Sequence, residues 1–157
     1  MPAEGFKIFY ASFSGTAEGF AQTLLAEAVA LGVPARCANL KHFSAEETRA
    51  LENLVFIVAT HYEGECPNDA DAFRVWLLDP AVDKDCFRGK RVALFGLGDK
   101  SYDTFNKFGK DITACLRAAG AQFMLEPVFG DDEHGQIERD FLPWKENMLV
   151  LMRTIML

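Results

Sequence analysis

Tyr10-Ala11-Ser12-Phe13-Ser14-Gly15-Thr16-Ala17-Glu18 joins an apolar run of strand length, Phe6 to Tyr10, to a stretch with helical spacing that begins at Ala17. Three hydroxyls, on Ser12, Ser14 and Thr16, fall within five residues around one glycine. At a helix start the first backbone N–H groups have no partner in the helix, and the helix dipole adds positive potential there. With hydroxyls and a tight turn beside them, these groups form a cradle for a dianion. The stretch holds no Lys or Arg, whereas a nucleoside triphosphatase loop reads G-x-x-x-x-G-K-[ST] and needs its lysine for the β and γ phosphates. A single terminal phosphate is the expected ligand group.

Beyond this turn, Ala17, Phe20, Ala21, Leu24, Ala28 and Leu31 recur at three and four residues, which predicts a helix with one apolar stripe, ended by Gly32 and Pro34. Further strands are expected at Leu54 to Ala59 and Val92 to Phe95, with weaker signals at Ala35 to Ala38 and Gln122 to Phe129. Phe73, Trp76 and Leu77 mark a second helix. Phe108, Ile112, Cys115, Leu116 and Ala119 mark a third, closed by Gly120; Phe141, Trp144, Met148, Leu151, Met152 and Ile155 mark a fourth. Pro143 lacks a backbone donor, so the regular part of this last helix is expected to begin near Leu142, with Asp140 as a cap. Strands alternating with helices imply a parallel sheet covered on both faces, with ligands bound beyond the carboxyl ends of the strands.

Composition bounds the reading. At 157 residues the chain fits one domain, with roughly 70% of its unfolded surface buried on folding. Half of its residues are hydrophobic, and 14 Phe are present, which argues against disorder. A formal charge of −7 disfavours direct nucleic-acid binding and suits a basic partner. Cys37, Cys66, Cys86 and Cys115 are scattered with no metal-ligand spacing and read as reduced thiols. No apolar run approaches the roughly 18 residues of a membrane span, so a cytoplasmic monomer away from membranes is the expectation.

The segments after the strands carry the chemistry. They are the hydroxyl loop, Ala59-Thr60-His61-Tyr62-Glu63-Gly64-Glu65, Gly96-Leu97-Gly98-Asp99-Lys100-Ser101-Tyr102, and Gly130-Asp131-Asp132-Glu133. A phosphate cradle with aromatic rings on two neighbouring loops suits a flat polycyclic ligand bearing one phosphate. Two rivals fail at named positions. Gly96-Leu97-Gly98 lacks the third glycine of a dinucleotide fingerprint and follows the wrong strand. A phosphate-accepting receiver module needs acids where the chain has Ala11-Ser12 and Thr60-His61.

These motifs, together with Phe105-Asn106, Ile137-Glu138 and Asp140-Phe141, resemble the flavodoxin-like FMN domain of diflavin reductases such as cytochrome P450 reductase and the sulfite reductase flavoprotein. Gly19-Phe20-Ala21, Asn39-Leu40-Lys41 and His134-Gly135-Gln136 are similar to the flavodoxin-like domain of the wybutosine-pathway tRNA-modifying radical-SAM enzyme. The resemblance implies a three-layer α/β fold, with a five-stranded parallel sheet in the order 2-1-3-4-5 and helices on both faces. It implies FMN as cofactor. Ser12, Phe13, Ser14, Gly15, Thr16 and Ala17 would then hold the phosphate. Tyr102 would stack on one face of the isoalloxazine, and Ala59, Thr60, His61 and Tyr62 would approach its other face and edge. Leu97, Gly98, Asp99, Phe105 and Asn106 would line the ring and ribityl chain, with Asp131 near the ribityl or ring edge.

One departure from the reductase pattern has a consequence for redox chemistry. His61-Tyr62 stands where those reductases carry Tyr-Gly, which puts an imidazole at the stacking position and removes a glycine. A residue with a Cβ is penalised at positive φ, so a less stabilised half-reduced flavin is expected. The function implied is electron transfer by FMN, as an electron-transfer flavoprotein or the FMN domain of an oxidoreductase. Electrons would come from an NADPH-linked flavin reductase module and pass to a haem or iron–sulfur acceptor on a redox partner with a basic docking face. The alternatives are reduction of the radical-SAM cluster in wybutosine synthesis and a flavin-free interaction module. Residues 1–157 are expected to be a single domain, and the apolar end at Met156-Leu157 favours one cut from a longer protein.

Overall fold

The computed structural model describes residues 3–61 and 63–156. Strands β1 (Ala3–Ala11), β2 (Ala35–Asn39), β3 (Leu51–Ala59) and β4 (Arg91–Gly98) run parallel in the order β2-β1-β3-β4. Two short segments, β5 (Gln122–Phe123) and β6 (Val128–Asp131), both pair with β4 and complete the edge. The fifth strand expected as one run is therefore two pieces. Pro127 offers no N–H to a ladder, and the pairing resumes only at Val128.

Side chains alternate along each central strand, and each sheet face collects its own core. Phe6 and Ile8, Val55 and Ile57, and Ala93, Phe95 and Leu97 point to the face covered by α1 (Thr16–Ala30) and α5 (Ile137–Met156). Phe9 and Ala11, Leu54, Phe56 and Val58, and Val92 and Leu94 point to the face covered by α3 (Asp71–Leu78) and α4 (Lys107–Ala118). Both faces are buried, which is why these strands read as continuous apolar runs. On the first face Phe20 stacks on Phe141 at 4.0 Å, nearly coplanar, and Lys145 donates to Glu27 at 2.9 Å, so α1 and α5 are joined into one layer. The second face is stitched by rings, with Phe43 against Phe9, Phe73, Trp76 and Phe87.

The helices follow their sequence stripes with two differences. A short helix, α2 (Ala45–Arg49), lies between β2 and β3, capped by Ser44 Oγ accepting from Glu47 N at 3.2 Å. The last helix begins at Ile137, ahead of Leu142, with Pro143 inside it. Asp132 Oδ1 accepts from Ile137 N at 3.2 Å and anchors this start, while Asp140 accepts from Asp131 N instead of capping the helix. Burial of Phe141 and Trp144 next to Pro143 offsets the donor that proline lacks.

The chain leaves β1 toward β2 on one side and crosses to β3 on the other. The carboxyl ends of β1 and β3 therefore bound a crevice at the point where the strand order reverses, the usual ligand position in such sheets. Among the described residues no helix is long and apolar enough to cross a membrane.

Candidate functional site, a cofactor cavity at the carboxyl edge of the sheet

The loops after β1, β3 and β4, with the β6–α5 connection, enclose a cavity of about 370 Å³. The first wall is the hydroxyl loop. Gly15 precedes α1 with φ 95, a left-handed conformation that a residue with a Cβ adopts only under strain, and a Cβ there would meet open space. Backbone geometry, not crowding, calls for glycine at this position. Gly15 N donates to Ser12 Oγ at 2.9 Å, and the Ser14 and Thr16 hydroxyls lie 3.5 Å apart. No side chain caps α1, whose first turn follows directly from this loop. A helix start without a cap, three hydroxyls around it and exposure at Ser14, Gly15 and Thr16 fit a terminal phosphate.

The second wall comes from β3 and β4. Ala59, Thr60, His61, Leu97, Gly98 and Asp99 line it, and Phe13 reaches across from the first loop. Thr60 is a fastener at this wall: its N–H donates to Leu97 O at 2.9 Å and its Oγ1 accepts from Phe108 N at 3.1 Å. The His61 and Phe13 rings lie 5.1 Å apart, tilted by 55°. An apolar wall carrying two rings beside a phosphate cradle fits a flat ring system joined to that phosphate.

The loop after β4 is held by groups that address the protein itself. Asn106 is fully buried at φ 55, donates from Nδ2 to Gly130 O at 3.0 Å, and leads into α4. A Cβ on Gly96 would collide with Asn106 Oδ1, and one on Gly98 would come within 2.9 Å of Asn106 Nδ2. Both glycines are therefore the space into which the amide is packed. Asp131 Oδ1 accepts from Lys100 N at 2.9 Å and Glu133 N at 3.0 Å. The Lys100 N–H, with the Glu133 N–H, holds the Asp131 carboxyl below the usual carboxylate range. Asp99 accepts from Ser101 through both the backbone N–H and the hydroxyl.

Of the residues singled out in the sequence, the cavity brings together Ser12, Phe13, Ser14, Thr16, Ala17, Ala59, Thr60, His61, Leu97, Gly98 and Asp99. Gly15 shapes the first loop. Tyr102 (41% exposed) and Phe105 lie on the loop beyond Asp99, and Asn106 and Asp131 fasten that loop. Tyr62 lies outside the described residues. Two lining residues were not singled out for the cofactor, Asp132 and Ile137. Their signal was the pair itself: an Asp shortly before an apolar helical position, whose carboxylate receives the N–H at that helix start. Cys66, in the loop after β3, is buried, and burial pushes its thiol up; Arg74 opposes this in part.

A parallel sheet with an uncapped, hydroxyl-lined helix start and a ring-lined wall at its switch point is the architecture of a doubly wound α/β domain with a ligand crevice. The chain belongs to the flavodoxin family, whose description matches residues 8–144, and FMN is its cofactor. It is 36% identical to the S-adenosyl-L-methionine-dependent tRNA 4-demethylwyosine synthase of Xenopus laevis, over 97% of this chain and 23% of that protein. It is likewise 36% identical to human NADPH–cytochrome P450 reductase, over 88% of this chain and 21% of the relative. The chain thus spans less than a quarter of these relatives. Among solved structures, a mutant flavodoxin from Pseudomonas aeruginosa superimposes with a TM-score of 0.71 at 26% identity, covering 94% of this chain and 98% of that one. A flavodoxin of Streptococcus pneumonia TIGR4 gives 0.71 at 25%, covering 93% and 98%.

Proposed function

We propose that this domain carries electrons on bound FMN, taking them from an NADPH-linked flavin reductase module and delivering them to a haem or iron–sulfur centre. FMN supplies the one- and two-electron chemistry when bound. Ser12, Ser14, Thr16 and the head of α1 would hold its phosphate, and Phe13, Ala59, His61 and Leu97 its ring. The cavity carries this reading, because it joins a phosphate cradle to an apolar, ring-lined wall. Glu63, Glu65, Asp69 and Asp71 after β3, with Asp132 and Glu133 after β6, would supply the negative charge that attracts a basic partner face.

The test is stepwise reduction. Anaerobic holoprotein mixed with NADPH and a separate FAD-containing reductase is expected to bleach near the flavin band, then to reduce an added haem protein at a rate that falls with salt. A flavin that stays oxidised, or reduces without passing electrons on, contradicts the reading. A second acceptor is favoured by the longer match to the tRNA-modifying synthase, 97% of the chain against 88%: the iron–sulfur cluster of a radical-SAM partner. Supplying reduced holoprotein to such a partner distinguishes the two acceptors.

A further inference from the structure

His61 lines the cavity that the FMN reading assigns to the cofactor. Its backbone is fixed by a tight turn, in which His61 N donates to Glu65 O at 2.7 Å and His61 O accepts from Gly64 N at 2.8 Å. The next residue back, Thr60, is tied to β4 and α4. The imidazole stands on the cavity wall against Phe13, on a loop fastened to β4 and α4 at Thr60.

Among the described residues, the other ionisable groups lining the cavity are Asp99 and Asp132. Both carboxylates already accept protein N–H groups. Around the histidine, its own loop carries Glu63 and Glu65, and α1 carries Glu18 in its first turn. The stem of Lys107 on α4 packs near Gly64, while its ammonium pairs with Asp111 at 2.9 Å. Lys100, after β4, lies over the Phe105 ring. These charges, with the cofactor phosphate, make a constant, mainly negative surround. What changes on reduction is the charge of the ring. Imidazole is the side chain that exchanges a proton near neutrality, so it is the lining group able to answer that change.

We propose that His61 takes up a proton when the bound flavin is reduced, a role that rests on the FMN reading above. In balance, oxidised flavin and neutral His61 receive two electrons from a chemical reductant and two protons from water. One proton goes to the flavin N5 and the other to the His61 imidazole, giving an anionic reduced ring beside an imidazolium. Without His61 the same two electrons bring one proton only.

The test uses holoprotein, dithionite as reductant and spectroelectrochemical titration between about pH 5.5 and 8.5, the span around the ordinary imidazole value. Each proton per electron pair contributes a tenfold change per pH unit, about 30 mV for a two-electron couple. The native protein is expected to show a neutral-pH interval with a slope of two protons, about 59 mV per pH unit, that His61→Phe and His61→Gln both reduce to one. The imidazole proton resonances of the native holoprotein should also shift between the oxidised and reduced states in that interval. Parallel slopes in native and variant proteins, or resonances that do not move, overturn the role of His61. Flavin fluorescence quenching on the same samples separates the two claims: quenching with parallel slopes sinks the histidine role alone, and no quenching in the native protein sinks the FMN reading and this inference with it.

Discussion

The loop after β1 and the loop after β4 reach the same cavity by opposite means. In the first, Ser14, Gly15 and Thr16 are exposed, and the loop is braced from within by Gly15 N on Ser12 Oγ. In the second, Asn106 is sunk between Gly96, Gly98 and Gly130, and Asp131 reaches over from the neighbouring segment to take Lys100 N. The first loop leaves Ser14 and Thr16 at the surface; the second uses its polar groups to hold its own position. Changes in the first should therefore act on binding with little effect on folding, and changes in the second on both.

The largest effect is expected at Asn106. Replacement by alanine removes the bond to Gly130 O, empties the space the amide fills and puts at φ 55 a residue that tolerates it less well than Asn, for a combined loss of about 2–3 kcal/mol. Thermal unfolding should fall by roughly 5–10 °C, with weaker FMN binding. Asn106→Gly relieves the backbone strain while still lacking the amide, so it should recover about 1–2 kcal/mol of that loss. If alanine and glycine variants melt together with the native protein, the second loop is not held as described.

Close behind comes Gly96→Ala, whose new methyl would meet Asn106 Oδ1; overpacking of this kind costs about 1–3 kcal/mol and is read by denaturant unfolding. Smaller in stability, and opposite in character, are Ser14→Ala and Thr16→Ala. Each is expected to change unfolding by under about 0.5 kcal/mol while weakening FMN roughly tenfold, about 1.4 kcal/mol. Binding of riboflavin, which lacks the phosphate, should stay as it is. Equal losses for FMN and riboflavin would break the contrast between the loops.

The smallest effect is a pH dependence at Asp131. Its folded-state pKa is depressed by the Lys100 and Glu133 N–H groups, so the stability it adds is complete above the unfolded carboxylate value of about 4 and is lost as pH falls through the lower folded value. Asp131→Asn should flatten that part of an acid-unfolding curve, with the variant slightly less stable at neutral pH and level with the native protein at the acid end. An identical acid limb in both proteins would remove Asp131 from the fastening of the second loop.

This contrast also explains what the sequence discloses. The parallel sheet was legible because its central strands, buried on both faces, appear as unbroken apolar runs such as Leu54 to Val58. The hydroxyl loop was legible because its residue types, three hydroxyls around one glycine just before a helical stripe, mark it without any contact distant in sequence. The break between β5 and β6 and the start of α5 at Ile137 were not, because each is settled by contacts distant in sequence or across a loop: pairing with β4, and Asp132 on Ile137 N. Asn106 and Asp131 show the same limit. Their positions mark them as belonging near the site, but that they fasten the loop appears only when Gly130 O and Lys100 N stand beside them.

The central claim is that the uncapped head of α1 and the hydroxyls of Ser12, Ser14 and Thr16 seat a phosphate whose ring lies along the wall of Ala59, His61 and Leu97. Calorimetric titration of apoprotein with FMN, repeated with riboflavin, tests it most directly. FMN is expected to bind one to one, roughly a hundredfold or more tighter than riboflavin, a difference of about 2.7 kcal/mol. Equal affinities, or no heat with FMN, would contradict it.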